Sequence, residues 1–161
     1  EIISFNTKTE LDKIESILTP FAKKYNVEIH TSTTALMIRG NVNQFVQAMI
    51  NIVKNGIEAM PNGGTLSISS EEKNGEIVIT ITDEGVGLTK EQLSSLGEPY
   101  FSTKGEQGTG LGLLVTYNII HSMGGSVKVD SEVGNGTTFK VTFPLDEKNQ
   151  ETHTEIASEK Q

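Results

Sequence analysis

The chain has 161 residues, 35% of them hydrophobic and 21% charged, which suits one domain with a buried core and argues against two. It contains no cysteine, which excludes disulfides, thiolate metal sites and thiol chemistry and suits a cytoplasmic setting. A formal net charge of -8 with a single arginine, Arg39, argues against a nucleic-acid surface, and no apolar run approaches the length of a membrane span. Any phosphate must therefore be held locally, by backbone N–H groups, a helix N-terminus, a few lysines or a metal ion.

Residues 1–8 are too short and mixed to assign, and read as a linker. Thr9 and Asp12 resemble a capping box, after which Leu11, Ile14, Ile17, Leu18, Phe21 and Ala22 recur at helical spacing to about Tyr25. Pro20 should bend or divide that helix. Residues 27–30 and 36–39 read as two strands joined by a Ser/Thr turn into a hairpin, with His30 facing outward.

Asn41 caps the next helix, which runs to about Met60 on an apolar stripe of Val42, Phe45, Val46, Met49, Ile52, Val53, Ile57 and Met60. Gln44, Gln47, Asn51, Asn55 and Glu58 form one continuous polar face on the other side, with two Asn amides one turn apart. Lys and Glu, better helix formers, are the usual residues of a solvated face, although a plain surface also fits this pattern.

Residues 61–64 make a turn, and 65–71 with 76–82 form a second hairpin across 73–75. In its second strand Ile77, Ile79 and Ile81 alternate with Val78, Thr80 and Thr82, and Asp83 stands at the end. Gly85 and Gly87 follow, an Asp-x-Gly-x-Gly turn that lets a flat ligand lie close to the backbone. Taken alone it also suits a tight loop whose Asp caps its own backbone.

Thr89 caps a short helix to about Leu96, and the pattern is then lost, so that residues 88–107 read as a mobile lid. Gly108, Thr109, Gly110, Leu111, Gly112 and Leu113 open a helix through Met123, with Leu111, Leu114, Val115, Ile119 and Met123 as its buried side. Uncovered N–H groups at the positive end of a helix suit an anionic phosphate chain. An irregular segment, not a strand, precedes these glycines, which separates them from a dinucleotide fingerprint. His121 reads as structural. Gly124 and Gly125 end the helix, and residues 126–132 and 137–144 form a last hairpin around 134–136. After Leu145 the composition turns polar and acidic, and residues 146–161 read as a disordered tail.

In this order the stretches resemble the ATP-binding catalytic domain of sensor histidine kinases. These belong to the wider Bergerat-fold (GHKL) group that also holds type II topoisomerase, heat-shock-90 and mismatch-repair ATPases. The resemblance rests on an N box in residues 47–59, a first glycine box at 83–87 and an F-box-like Glu98-Pro99-Tyr100-Phe101. A second glycine box at 108–113 and the final Gly134-x-Gly136-Thr137-x-Phe139 complete it, so that it covers residues from about 9 to 145. The wording from Glu98 to Lys104 is similar to sporulation-type and nitrogen-regulatory kinases.

The resemblance implies an α+β fold, a two-layer α/β sandwich with a mixed β-sheet and helices on one face, and ATP held between helix and lid. It gives Asp83 the adenine amine, with Gly85, Gly87 and Thr137 assisting, and sets Tyr100 and the second glycine box among the nucleotide-binding residues. Asn55, with Asn51, would hold Mg²⁺ against the phosphates, where neutral amide oxygens suffice beside phosphate and water. Lys104 is the phosphate contact it suggests; Lys54 is a second choice, on a helix position facing away from Asn55. Tyr100 and Phe101 either pack inward or touch an acceptor domain.

Hydrolytic members carry a Glu one turn before the metal-binding Asn, where this chain has Asn51. A neutral amide cannot serve as general base, so the resemblance implies transfer of the γ-phosphoryl group, not hydrolysis. None of His30, His121 or His153 has the surroundings of the acceptor motif. The expected protein is thus a monomeric catalytic piece of a homodimeric cytoplasmic or membrane-anchored kinase. Its dimerisation domain would carry the histidine, and a response regulator would follow. A serine kinase of the anti-sigma-factor type and a nucleotide-gated binding module are the alternatives.

Overall fold

The structure, a computed structural model, describes residues 1–96 and 112–150. The elements run β1 (Ile3–Asn6), α1 (Thr7–Lys24), β2 (Val27–Ser32), β3 (Met37–Gly40), α2 (Val42–Glu58), β4 (Gly64–Lys73) and β5 (Glu76–Asp83). They continue with α3 (Lys90–Ser95), α4 (Gly112–Ser122), β6 (Ser126–Ser131) and β7 (Thr137–Pro144). A five-stranded sheet has the order β2-β4-β5-β7-β6, with β2 parallel to β4 and every other pairing antiparallel. Its strands bury alternate residues: Ile77, Ile79, Ile81 and Asp83 on β5, Thr137, Phe139, Val141 and Phe143 on β7. A period of two sets those residues on one face, and α1, α2 and α4 pack there, which is the two-layer arrangement expected.

The first hairpin is a correction. β2 does not pair with β3; it lies parallel to β4, while β3 pairs antiparallel with β1 in a separate two-stranded sheet, from Ile3 opposite Gly40 to Asn6 opposite Met37. The segment before Thr9, read as a linker, thus supplies a strand. Asn26, at φ 58, turns the chain into β2, and the Gly64 N–H donates to its carbonyl at 3.3 Å beside the parallel pair. His30 does face out, against Glu28 Oε2 at 3.2 Å.

α1 is capped not by Thr9 but by Asn6, whose Oδ1 accepts from Lys8 N at 2.9 Å. Thr7 is buried there because its hydroxyl and its N–H both donate to Leu36 O at 2.9 Å. Pro20 sits within α1 without dividing it. Both Pro20 and Ser16, whose carbonyl loses its intrahelical donor, are exposed, so water can satisfy that carbonyl.

α2 starts where expected, with Asn41 Oδ1 accepting from Gln44 N at 3.0 Å, and buries Phe45, Met49, Ile52, Val53 and Ile57. Phe45 stands between Phe5, at 5.2 Å, and Phe143, at 5.7 Å, tying both sheets to one helix. The β4–β5 turn has positive φ at both Asn74 (54) and Gly75 (80), as a two-residue primed turn requires.

α4 buries Thr116, Ile119 and Ile120, and Val115 is exposed, which corrects the predicted stripe. A polar residue hid the true face: the Thr116 hydroxyl donates to Gly112 O at 2.9 Å and can therefore be buried. Residues 146–150 also differ from the expected tail. The Asp146 N–H donates to Met37 O at 2.9 Å, and Gln150 accepts from Met37 N at 2.9 Å while its Nε2 donates to Met37 O, which fastens this segment to β3. Residues 151–161 lie outside the described residues.

Candidate functional site

Asp83 follows Ile77, Ile79 and Ile81 in phase, so the alternation that builds the core also turns a carboxylate toward the helices. It is 6% exposed, and its Oδ1 accepts from Gly85 N at 2.8 Å and from Thr137 N at 3.2 Å. Burial pushes the carboxyl above its ordinary range, and the two backbone donors pull it part of the way back. Oδ2 looks toward α2, where a β-carbon on Gly56 would stand 3.4 Å away. A glycine in a helix interior costs about 1 kcal/mol relative to Ala. Gly56 could have been singled out on that ground and was not.

The glycines of this turn serve the backbone first. A β-carbon on Gly85 would stand 2.4 Å from Ala59 O, one on Gly87 2.0 Å from Glu132 O, and one on Gly136 2.1 Å from Asp83 O. The Val86 N–H donates to Ala59 O at 3.1 Å and the Gly134 N–H to Val86 O at 2.8 Å, which clamps the turn between the end of α2 and the β6–β7 loop. Glu84 Oε1 accepts from Thr65 N at 2.7 Å on the other side.

Asp83, Thr137 and Ser131 form one row across β5, β7 and β6. Ser131 Oγ accepts from Leu88 N at 2.8 Å, donates to Gly136 O at 2.9 Å and lies 2.8 Å from Thr137 Oγ1. Sequence reasoning missed Ser131, whose only signal was its place at a strand end beside the glycines.

The polar face of α2 divides along its length: Gln44 and Gln47 are exposed, Asn51, Asn55 and Glu58 half-buried. Asn51 Nδ2 donates to Thr116 Oγ1 at 3.1 Å and reaches Gly112 O at 3.5 Å. A carbonyl can only accept, which fixes the amide with its nitrogen on that side. Asn55 lies one turn on, just before Gly56, the α2 position that faces Asp83. Lys54 leaves the candidate set: its ammonium sits 5.0 Å from the centroid of the Phe21 ring on α1. Gly112 is exposed with open space beside it, and Leu113 packs against the core. Tyr100, Phe101, Lys104, Gly108, Thr109, Gly110 and Leu111 lie outside the described residues.

Among the described residues no cluster of three His, Asp or Glu side chains could hold a metal ion. The amide oxygens of Asn51 and Asn55 are hard neutral donors of the kind Mg²⁺ accepts in company with phosphate oxygens, so the donor set fits that ion. No helix of the described residues is long and apolar enough to cross a membrane.

Comparison with known proteins bears on this site. A family model described as "Histidine kinase-, DNA gyrase B-, and HSP90-like ATPase" matches residues 40–147. Sporulation kinase A of Bacillus subtilis is 40% identical over 141 residues, which cover 86% of this chain and 23% of that protein. The chain thus spans about a quarter of that relative's length. Among solved structures, the catalytic domain of histidine kinase ThkA is 26% identical at a TM-score of 0.80, covering 89% of this chain and 97% of that one. Full-length ShkA in complex with AMPPNP shares the fold, at 21% identity and a TM-score of 0.81, covering 90% of this chain and 31% of that one. The fold is that of histidine kinase catalytic domains, and with the family match extending over more than half of its residues, the chain belongs to the histidine kinase-, DNA gyrase B- and HSP90-like ATPase family.

Proposed function

We propose that this domain binds Mg-ATP and transfers the γ-phosphoryl group to a histidine on the dimerisation domain of a larger, homodimeric sensor kinase, from which a response regulator receives it. In the transfer the bond between the β,γ-bridging oxygen and the γ-phosphorus breaks, a P–N bond forms at the imidazole, and ADP leaves. The observation that carries the reading is the buried Asp83 carboxylate, with one oxygen fixed by two backbone N–H groups and the other turned toward Gly56. Such a group accepts from the exocyclic amine of adenine without having to reorganise. The complex of ShkA with the nucleotide analogue AMPPNP supports the same ligand class.

Asn55 supplies an amide oxygen for Mg²⁺, and the ion, when bound, neutralises charge on the transferring group. Asn51 has no proton-accepting chemistry and turns its nitrogen to α4, which supports transfer over hydrolysis. Lys104 is assigned to the phosphates and Tyr100 to the nucleotide, on the strength of the motifs that contain them. The setting is inferred to be cytoplasmic.

The experiment mixes the domain with γ-labelled ATP and either a histidine-bearing dimerisation domain or a serine-bearing antagonist protein. Acid-labile, base-stable label on the first is the expected result. Acid-stable label on the second, or release of free phosphate with neither labelled, would overturn the reading.

A further inference from the structure

Three acceptors and donors meet on one serine. Ser131 Oγ has a single proton, and Gly136 O, 2.9 Å away, can only accept, so the proton goes there. The Leu88 N–H, 2.8 Å away, can only donate and takes one lone pair. Thr137 Oγ1 stands 2.8 Å away, and with Ser131's only proton already committed, it is Thr137 that donates. Its proton therefore points along the row away from Asp83, since β7 lies between β5 and β6. What remains on Thr137 Oγ1 is lone pairs, on the same sheet face and one strand over from the Asp83 carboxylate, which also only accepts when ionised.

We propose that Ser131 is a positioning residue that sets the polarity of the Thr137 hydroxyl and so makes the Asp83 pocket select a purine with an amine at position 6 over one with a carbonyl. The inference rests on the assignment of ATP to this pocket and goes beyond it in saying which residue holds the selectivity. Complementary donors meet two acceptors; a 6-oxo purine would set its oxygen against both. Without Ser131 the Thr137 hydroxyl is released to turn and donate, which lowers the penalty for the carbonyl.

The test compares binding of ATP and ITP by calorimetry. In Ser131→Ala the preference for ATP over ITP should fall about fivefold, the worth of one hydrogen bond. Ser131→Thr, which keeps the hydroxyl, should restore it. In a Thr137→Val background, Ser131→Ala should change the ratio no further, because the group it acts through is gone. Equal losses for ATP and ITP, or an unchanged ratio, would reduce Ser131 to a structural residue and overturn the proposal. Should Ser131→Ala fail to fold, Ser131→Cys replaces it, with a poor acceptor in nearly the same volume, and is read the same way. Failure of the unaltered domain to bind either nucleotide sinks the ATP assignment as well, whereas ATP binding with a ratio insensitive to Ser131 sinks this inference alone.

Discussion

The side-chain amide of Asn51 donates to the Thr116 hydroxyl at 3.1 Å, which joins the polar face of α2 to a fully buried position on α4. Thr116 has already given its proton to Gly112 O at 2.9 Å, so Asn51 must be the donor. Asn51→Ala should cost about 1 kcal/mol of stability for the lost bond. Asn51→Asp should cost more, because a carboxylate cannot donate and would face the Gly112 carbonyl. Urea unfolding should rank the three proteins in that order. An Asp variant as stable as the parent would mean that the amide does not hold α4.

The proposal that Asn55 holds Mg²⁺ makes a separate prediction. Asn55→Ala should lower ATP affinity in Mg²⁺ toward its value in EDTA while leaving the EDTA value nearly unchanged, as a residue proposed to act through the ion and not through the base requires. Parallel calorimetric titrations check this. An equal fall in both media would place Asn55 against the nucleotide itself.

Asp83→Asn should fold and bind ATP more weakly. The amide oxygen can still accept from Gly85 N and Thr137 N, but the other half of the group becomes a donor facing a donor, worth roughly 1–3 kcal/mol of binding. The free protein carries a pH signature as well. Burial raises the Asp83 carboxyl, so the fold favours its protonated form; the associated stability is full below its ordinary value of 3.8 and is lost as pH rises through the raised value. Without nucleotide, the parent should therefore lose stability relative to Asp83→Asn across that window. A parent that gains on the variant as pH rises would show that the two N–H bonds outweigh burial.

Two glycines from two boxes should respond in opposite ways to alanine. Gly136 has φ 81 and no space, with Asp83 O 2.1 Å from a β-carbon, so Gly136→Ala combines backbone strain of about 1–3 kcal/mol with a forced shift of β5. Gly112 has nothing within 4 Å and begins α4, where Ala is better by up to about 1 kcal/mol. Thermal unfolding should show a large loss for the first and none for the second. If Gly112→Ala is stable and yet binds ATP weakly, that glycine serves the ligand and not the fold.

What the sequence revealed and what it hid follow from what each signal encodes. Alternation along β5 fixed which face Asp83 would take, and Asn41 and Thr89 each cap the helix expected of them, because both signals are local. Alternation in β2 and β3 says nothing about neighbours, so the parallel β2–β4 pair and the β1–β3 pair were out of reach. Polar residues with structural roles escaped for a related reason: buried Thr116 and half-buried Ser131 matter through partners 4 to 65 residues away in sequence. Glycine gave a position without a purpose, since room for a ligand and room for another backbone demand the same residue.

The lid expected over residues 88–107 begins among the described residues. Leu88 is anchored through Ser131 Oγ at 2.8 Å, and α3 after it is held by a capping box, with Gln92 N on Thr89 Oγ1 at 3.1 Å and Thr89 N on Gln92 Oε1 at 2.9 Å. No residue of α3 is buried, so this helix draws on its own local bonds and little on the core, and its local stability should be low. Amide exchange should accordingly be slow at Leu88 and fast from Lys90 to Ser95 in the free protein. Residues 97–107 lie outside the described residues; an ATP analogue with Mg²⁺ should slow exchange from Lys90 to Ser95 if the expected lid closes on the nucleotide. Strong protection of this segment before nucleotide is added, or no gain afterwards, would make it a fixed loop, and water would have to be kept from the γ-phosphate by other means.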